Sequence, residues 1–160
     1  MRLLRWLATV IALLVLALAA VAFGARCADG PVAAFPGGPL RSGALVTEAI
    51  ADWSFASAIE EVELESSGRS RTTWIVVLDG EAYVPCSLDF PPGKRWHHEA
   101  LEQPEAVVRI EGHRYARRLV RADDEALRAR LVEAARAKYG PGPSGGDASR
   151  IWFFHLAPRS

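Results

Sequence analysis

The chain has 160 residues, with 19 basic against 19 acidic side chains. Setting aside an apolar leader that carries Arg2 and Arg5 leaves 17 against 19, in a remainder sized for one domain with its own core. Its arginines are interleaved with Asp and Glu, so the clustered basic excess that phosphate backbones require is missing, and nucleic acid is excluded as a partner.

Arg2 and Arg5 stand ahead of a run from Trp6 to Phe23 that contains no charged residue. A helix needs about 20 apolar residues to cross the hydrocarbon core, whereas the apolar part of a cleaved signal spans about 7 to 15. Length therefore points to an uncleaved membrane anchor over residues 1–25. Ala20-Val21-Ala22 offers a small-x-small cleavage pattern, which keeps a secreted or periplasmic product as the alternative. Basic residues stay on the cytoplasmic side, so a single pass is expected to hold the domain on the extracytoplasmic face of the cytoplasmic membrane. Arg26 stands where lipid attachment at Cys27 would need a small residue.

Residues 26–45 form a Gly/Pro/Ala-rich linker in which Pro31, Gly37-Gly38 and Pro39 interrupt regular structure, and they are expected as a spacer from the membrane. The domain proper occupies residues 46–160. From Thr47 to Trp53 the pattern predicts a short helix, capped by Thr47 with Ile50 and Trp53 on one side. Three runs of strand character follow: Val62 to Ser66, Thr72 to Leu78 and Ala82 to Ser87. Asp79-Gly80 joins the last two and predicts a tight antiparallel hairpin, because both turn positions must accept positive φ.

After Pro91-Pro92-Gly93 a helix is predicted from Lys94 to Gln103, ended by Pro104. Ala106 to Ile110 and Arg114 to Arg121 predict a second hairpin that turns at Glu111-Gly112-His113. In its second strand Tyr115, Arg117, Leu119 and Arg121 alternate with Ala116, Arg118, Val120 and Ala122. Neither face is cleanly apolar, so this strand is expected to be partly exposed. A helix is predicted from Asp124 to Tyr139, opened by acidic residues, with Leu127, Leu131, Ala135 and Tyr139 on one face and Arg136 and Lys138 before Gly140. A connector from Gly140 to Ser149 leads to a closing strand, Ile151 to Leu156. The Gly142 to Gly146 stretch within it lacks the Lys-Ser/Thr ending of a phosphate loop and reads as a flexible connector. About six strands with two or three helices predict a mainly β (α+β) fold, a small antiparallel barrel.

Several local patterns carry more than secondary structure. Trp96 is followed eight positions later by Pro104, then by the strand Ala106-Val107-Val108-Arg109-Ile110 and Gly112. Before them stand Gly68-Arg69-Ser70-Arg71-Thr72 and the hairpin Asp79-Gly80-Glu81-Ala82-Tyr83-Val84, and the domain closes on Phe153 to Pro158. In this order of elements, from about Asp52 to Pro158, the chain resembles the split β-barrel proteins of the pyridoxamine-phosphate-oxidase-like and deazaflavin-dependent nitroreductase-like superfamily. Glu99 and Ala100 stand where the deazaflavin branch has an Asn-Leu pair, and no Ser/Gly-rich phosphate loop precedes Trp96.

The resemblance implies a split barrel, FMN or a deazaflavin as the cofactor class, and a homodimer as the assembly. A flavin phosphate needs cationic and hydroxyl donors and its ring needs an apolar or aromatic wall. The candidates are Arg69, Arg71 and Thr72 on one segment and Lys94, Arg95 and Trp96 on another, which the resemblance would bring to one site. The same residues also fit a plain structural role, with the arginines solvating a turn and Trp96 anchoring a helix to the sheet.

Other chemistry finds no support in the sequence. His97 and His98 are adjacent, so on a helix they point about 100° apart and do not share a face for one metal ion. No Ser/His/Asp arrangement or nucleophile elbow occurs. Cys27 and Cys86 are too few for a disulfide framework, their spacing fits no zinc motif, and their pairing stays open. Two readings of function follow. One is a membrane-tethered, extracytoplasmic split barrel that serves ligand binding or self-association. The other is a flavin- or deazaflavin-dependent oxidoreductase acting on a small, lipophilic substrate. The missing Asn-Leu pair and the extracytoplasmic compartment favour the first.

Overall fold

The structure, a computed structural model, describes residues 2–141 and 148–159. The Gly142 to Gly146 connector lies outside the described residues. The N-terminal helix α1 (Arg2–Ala25) is apolar along its length and exposes Leu3, Leu4, Leu16 and Phe23 on every side. A helix hydrophobic all round is suited to lipid rather than to water. It is long and apolar enough to cross a membrane, and a signal sequence has the same character.

Eight strands follow: β1 (Ala44–Val46), β2 (Glu61–Ser66), β3 (Arg69–Trp74), β4 (Val76–Leu78), β5 (Glu81–Ser87), β6 (Glu105–Ile110), β7 (His113–Arg121) and β8 (Ile151–Pro158). They form one curled sheet in the order β3-β2-β6-β7-β8-β5-β4, antiparallel throughout except that β1 pairs in parallel with β7. β3 and β4 are two halves of the run expected from Thr72 to Leu78, broken at Ile75. The first half pairs with β2 and the second with β5, so the bent strand stands at both ends of the sheet and curls it into a barrel.

Three hairpins turn on a non-glycine followed by glycine, both at positive φ: Ser67-Gly68, Asp79-Gly80 and Glu111-Gly112. That geometry matches the twist of the flanking strands, and the expected Asp79-Gly80 hairpin is one of them. The turn expected at Glu111-Gly112-His113 is the tighter two-residue form, with His113 already in β7.

Alternation divides the side chains between two cores. Val62, Leu64, Val84, Val108, Phe154 and Leu156 fill the barrel together with Trp53 and Trp96. On the outer face Val76, Tyr83 and Phe153 pack under Leu131 and Val132 of α3 (Glu125–Tyr139). Asp124 caps that helix by accepting from the Leu127 amide at 2.7 Å. The third helix, α2 (Trp96–Glu102), is shorter than the expected Lys94 to Gln103 and buries Trp96, His97 and Ala100.

Two expectations are corrected. No helix forms from Thr47 to Trp53; only a 3-10 turn, Ser54–Ala56, appears beyond it. The backbone there is used by distant partners: Glu48 O accepts from Arg117 at 3.0 Å and the Trp53 amide donates to Gly80 O at 2.7 Å. β7 is partly exposed, as expected, with His113, Arg118 and Val120 open to solvent, but it pairs with β6 and β8 and its Arg117 is 1% exposed. That cation lies 5.2 Å from the Trp53 ring and donates to Ala116 O and Glu48 O, so aromatic faces and carbonyls replace its water.

The second correction concerns the segment expected as a spacer, which lies hydrogen-bonded on the barrel. Gly37 pairs with Ser70 through both backbone bonds, Ser70 Oγ donates to Gly38 O at 2.6 Å, and the Leu40 amide donates to Glu65. Arg109 bridges Asp29 and Glu63 and donates to Ser42. The amides of Arg41 and Ser42, with the Arg109 guanidinium, hold the Asp29 carboxyl far below the usual carboxylate range. Gly37 and Gly38 are needed here for closeness, since a Cβ would stand 1.7 Å from Gly30 O at the first and 2.5 Å from Arg26 O at the second.

Candidate functional site

The barrel is hydrogen-bonded all round except between β3 and the far end of β5. Tyr83 faces Val76 across the β4–β5 ladder, so the next pair along would set Ile75 against Val84 and the next hydrogen-bonded one would join Pro85 to Trp74. Pro85 has no N–H to give. The ladder stops, the two strands part, and a cavity of about 260 Å³ opens between Arg71, Thr72 and Thr73 on one side and Pro85, Cys86 and Ser87 on the other. Lys94 and Trp96, at the start of α2, and Phe90 complete that side; Pro31 and residues 33–36 of the docked N-terminal segment form the opposite wall.

Within the expected site, four residues come together: Arg71, Thr72, Lys94 and Trp96 all line this cavity. Two do not. Arg69 donates instead to Gly37 O and Pro36 O, so it fastens the N-terminal segment, and Arg95 is exposed at the N-cap of α2. Sequence reasoning missed the opposite wall, because residues 31–36 had been set down as spacer. The signal was their apolar run between Pro31 and Pro36.

Arg71 faces inward beside Leu64, and its guanidinium sits 5.2 Å from the Trp96 ring. Nη1 donates to Ser66 Oγ at 3.1 Å and Nη2 to Arg69 O. Among the described residues no carboxylate forms an ion pair with it. Burial lowers its pKa to about 10, opposed by the charge of Glu99. Lys94 Nζ donates to Ser87 O and Phe90 O, which fixes the ammonium over the turn that follows β5, and burial lowers its pKa too. The Cys86 thiol is pushed up to about 11 by burial, against the pull of Lys94 and Arg71. Cys86 and Cys27 are both free thiols, the first buried and the second exposed.

Behind Trp96 stands His97, whose ring lies 4.2 Å from that of His98 and 5.3 Å from that of Trp152. Its Nδ1 is buried without a hydrogen-bond partner, and burial, with the charges of His98 and Lys94, lowers its pKa to about 4. It is a neutral imidazole packed among rings. The donor set at the cavity, a guanidinium, an ammonium and a hydroxyl beside an indole face, suits a phosphate on a flat or apolar body, and FMN or a deazaflavin meets that description.

No family model matches the chain, and no curated protein does. Solved structures similar to it include a conserved hypothetical protein from Mycobacterium tuberculosis, 11% identical, covering 72% of this chain and 84% of that one with a TM-score of 0.52. The fold is a split β-barrel. Also similar are a putative pyridoxamine 5'-phosphate oxidase from Listeria innocua (17% identical, 63% of this chain, 85% of that one, TM-score 0.46) and the heme storage protein HutZ from Vibrio cholerae (15%, 63%, 82%, 0.43). At such identities the likeness concerns the split barrel alone, since one fold hosts many functions.

Proposed function

We propose that this split barrel is tethered by α1 with its domain on the extracytoplasmic side, and that it binds a small phosphate-bearing ligand in the split between β3 and β5. The observation that carries the reading is Arg71, a cation turned into the mouth of the barrel over Trp96, with no carboxylate of the described residues paired to it. A guanidinium withdrawn from water in that way is stabilised by an incoming anion. Lys94 adds a second positive charge with a third N–H beyond the two given to Ser87 and Phe90. The side of the membrane follows from Arg2 and Arg5 ahead of the apolar run.

The test uses the full chain in detergent, titrated with FMN and followed by quenching of flavin fluorescence. Arg71→Gln and Lys94→Gln should each weaken binding at least about tenfold, the loss of one hydrogen bond to a charged group. Absence of quenching rejects FMN as the ligand, and an affinity unchanged in both variants rejects the site. A reporter at the C-terminus that works only in the cytoplasm rejects the topology.

A further inference from the structure

We propose that the ligand of this cavity is a membrane amphiphile, a lipid whose terminal phosphate sits on Arg71 and Lys94 while its apolar chain leaves past Phe35 and Phe90 into the bilayer that holds α1. The inference rests on reading the cavity as an anion site, and adds the source and class of the ligand.

It begins with the length of chain between the membrane helix and the cavity. α1 has 24 residues, about 36 Å at 1.5 Å per residue, against a hydrocarbon core of about 30 Å, so its last turn reaches the headgroup layer. Ala25, its final residue, is 4% exposed and packs onto the domain. Three residues on, Ala28 O accepts from the Gly38 amide at 3.1 Å and closes a loop. Residues on that loop form the cavity wall, beginning with Pro31. Pro31 is six positions beyond Ala25, so the wall starts within about 20 Å of the helix end.

The loop cannot carry its wall elsewhere. Its return strand is bonded to Ser70 at Gly37 and Gly38, and Asp29 near its start is gripped by Arg109. The fold itself, rather than a flexible tether, holds the cavity beside the lipid surface. The rim is made for that neighbour. Val32, bridged to Phe35 beside the loop tip at Ala33-Ala34, is 39% exposed, and Phe90 in the cavity lining is 61% exposed, with Pro91-Pro92 following. Apolar side chains in water around a charged cavity cost solvation, whereas against acyl chains they gain it. A rim apolar outside and cationic within matches a ligand that is anionic at its head and apolar behind it.

The experiment places the full chain in phosphatidylcholine vesicles with or without phosphatidic acid and measures FMN affinity in each. Phosphatidic acid should weaken FMN at least about tenfold by occupying the cations, while the same concentration of inorganic phosphate outside the vesicles leaves it unchanged. Val32→Ser, at the rim and outside the cavity lining, should reduce the phosphatidic acid effect several-fold and leave FMN affinity in detergent as it was. An FMN affinity indifferent to phosphatidic acid overturns the lipid proposal and leaves the anion site standing. Equal competition by inorganic phosphate also overturns it, in favour of a free phosphate. Should FMN itself fail to bind, native mass spectrometry of the extracted chain decides: phosphatidic acid retained by the protein and lost in Arg71→Gln supports the lipid, and no retention rejects both readings.

Discussion

The two halves of the strand bent at Ile75 differ in what covers their free edge. Beyond the bend, β4 is paired with β5, and the junction is sealed by the end of α3. Tyr139 OH accepts from the Ile75 amide at 3.1 Å and lies 2.7 Å from Ile75 O and 2.6 Å from Glu60 O, while Lys138 Nζ donates to Ile75 O at 3.0 Å. The Tyr139 ring stacks on Trp74 at 4.4 Å. Before the bend, β3 faces Pro85 across a gap, and the gap is lined by cations instead of a sealing helix. One half spends its polar groups on closing the barrel; the other leaves Arg71 and Lys94 beside an open seam, which is where the proposed binding would be set against stability.

Substitutions can break this contrast at several strengths. The largest effect is expected at the sealed junction: Tyr139→Ala removes the stacked ring and leaves the Ile75 amide unpaired, with Ile75 O held by Lys138 alone, costing about 3 to 5 kcal/mol in chemical denaturation. Tyr139→Phe keeps the ring and should cost about 1 to 3 kcal/mol, and a smaller loss would mean that water reaches Ile75.

Next comes a dependence on pH behind the open half. The folded pKa of His97, about 4, lies below its ordinary value of 6.5, so on acidification the unfolded chain takes up the proton first. Stability should fall by about 1 to 3 kcal/mol as pH drops through that window and be level above it. His97→Phe should flatten the profile, as read from denaturation midpoints on either side of the window.

Arg109→Ala should cost about 1 to 2 kcal/mol and act locally, freeing Asp29 and Glu63. Faster tryptic cleavage after Arg26 or Arg41 would report release of the N-terminal segment from the cavity wall. The smallest stability effect belongs to the open half itself. Arg71→Met should change stability by less than about 1 kcal/mol, because a buried cation without a carboxylate partner gains little for the fold. A large loss there would make Arg71 a structural residue and blur the contrast between the halves.

Much of this was visible in local patterns. Asp79-Gly80 announced its hairpin because few residues accept positive φ in succession, and Asp124 with the Leu127 spacing announced α3. Four of the six site candidates, Arg71, Thr72, Lys94 and Trp96, line one cavity because they flank the strand and helix starts that the split separates. Pro85 was a signal left unused: a proline inside Ala82 to Ser87 marks a strand whose ladder must end on one side. The burial of Arg117 was not legible: alternating arginines mark a partly exposed strand, which β7 is, without showing that Trp53 and Tyr115 cover one of them.

The sequence by itself determined the apolar helix, the turns and the caps, because each depends on residues within a few positions of one another. Only the tertiary structure decided that the strand breaks at Ile75, that residues 28–43 lie against the barrel, and that Arg69 serves the segment while Arg71 serves the cavity. Those outcomes turn on which backbone groups meet across 30 to 80 residues of chain, as in Arg69 to Gly37 and Arg109 to Asp29. Local propensity is silent about such pairings, which are settled when the sheet curls and each polar group must find a partner.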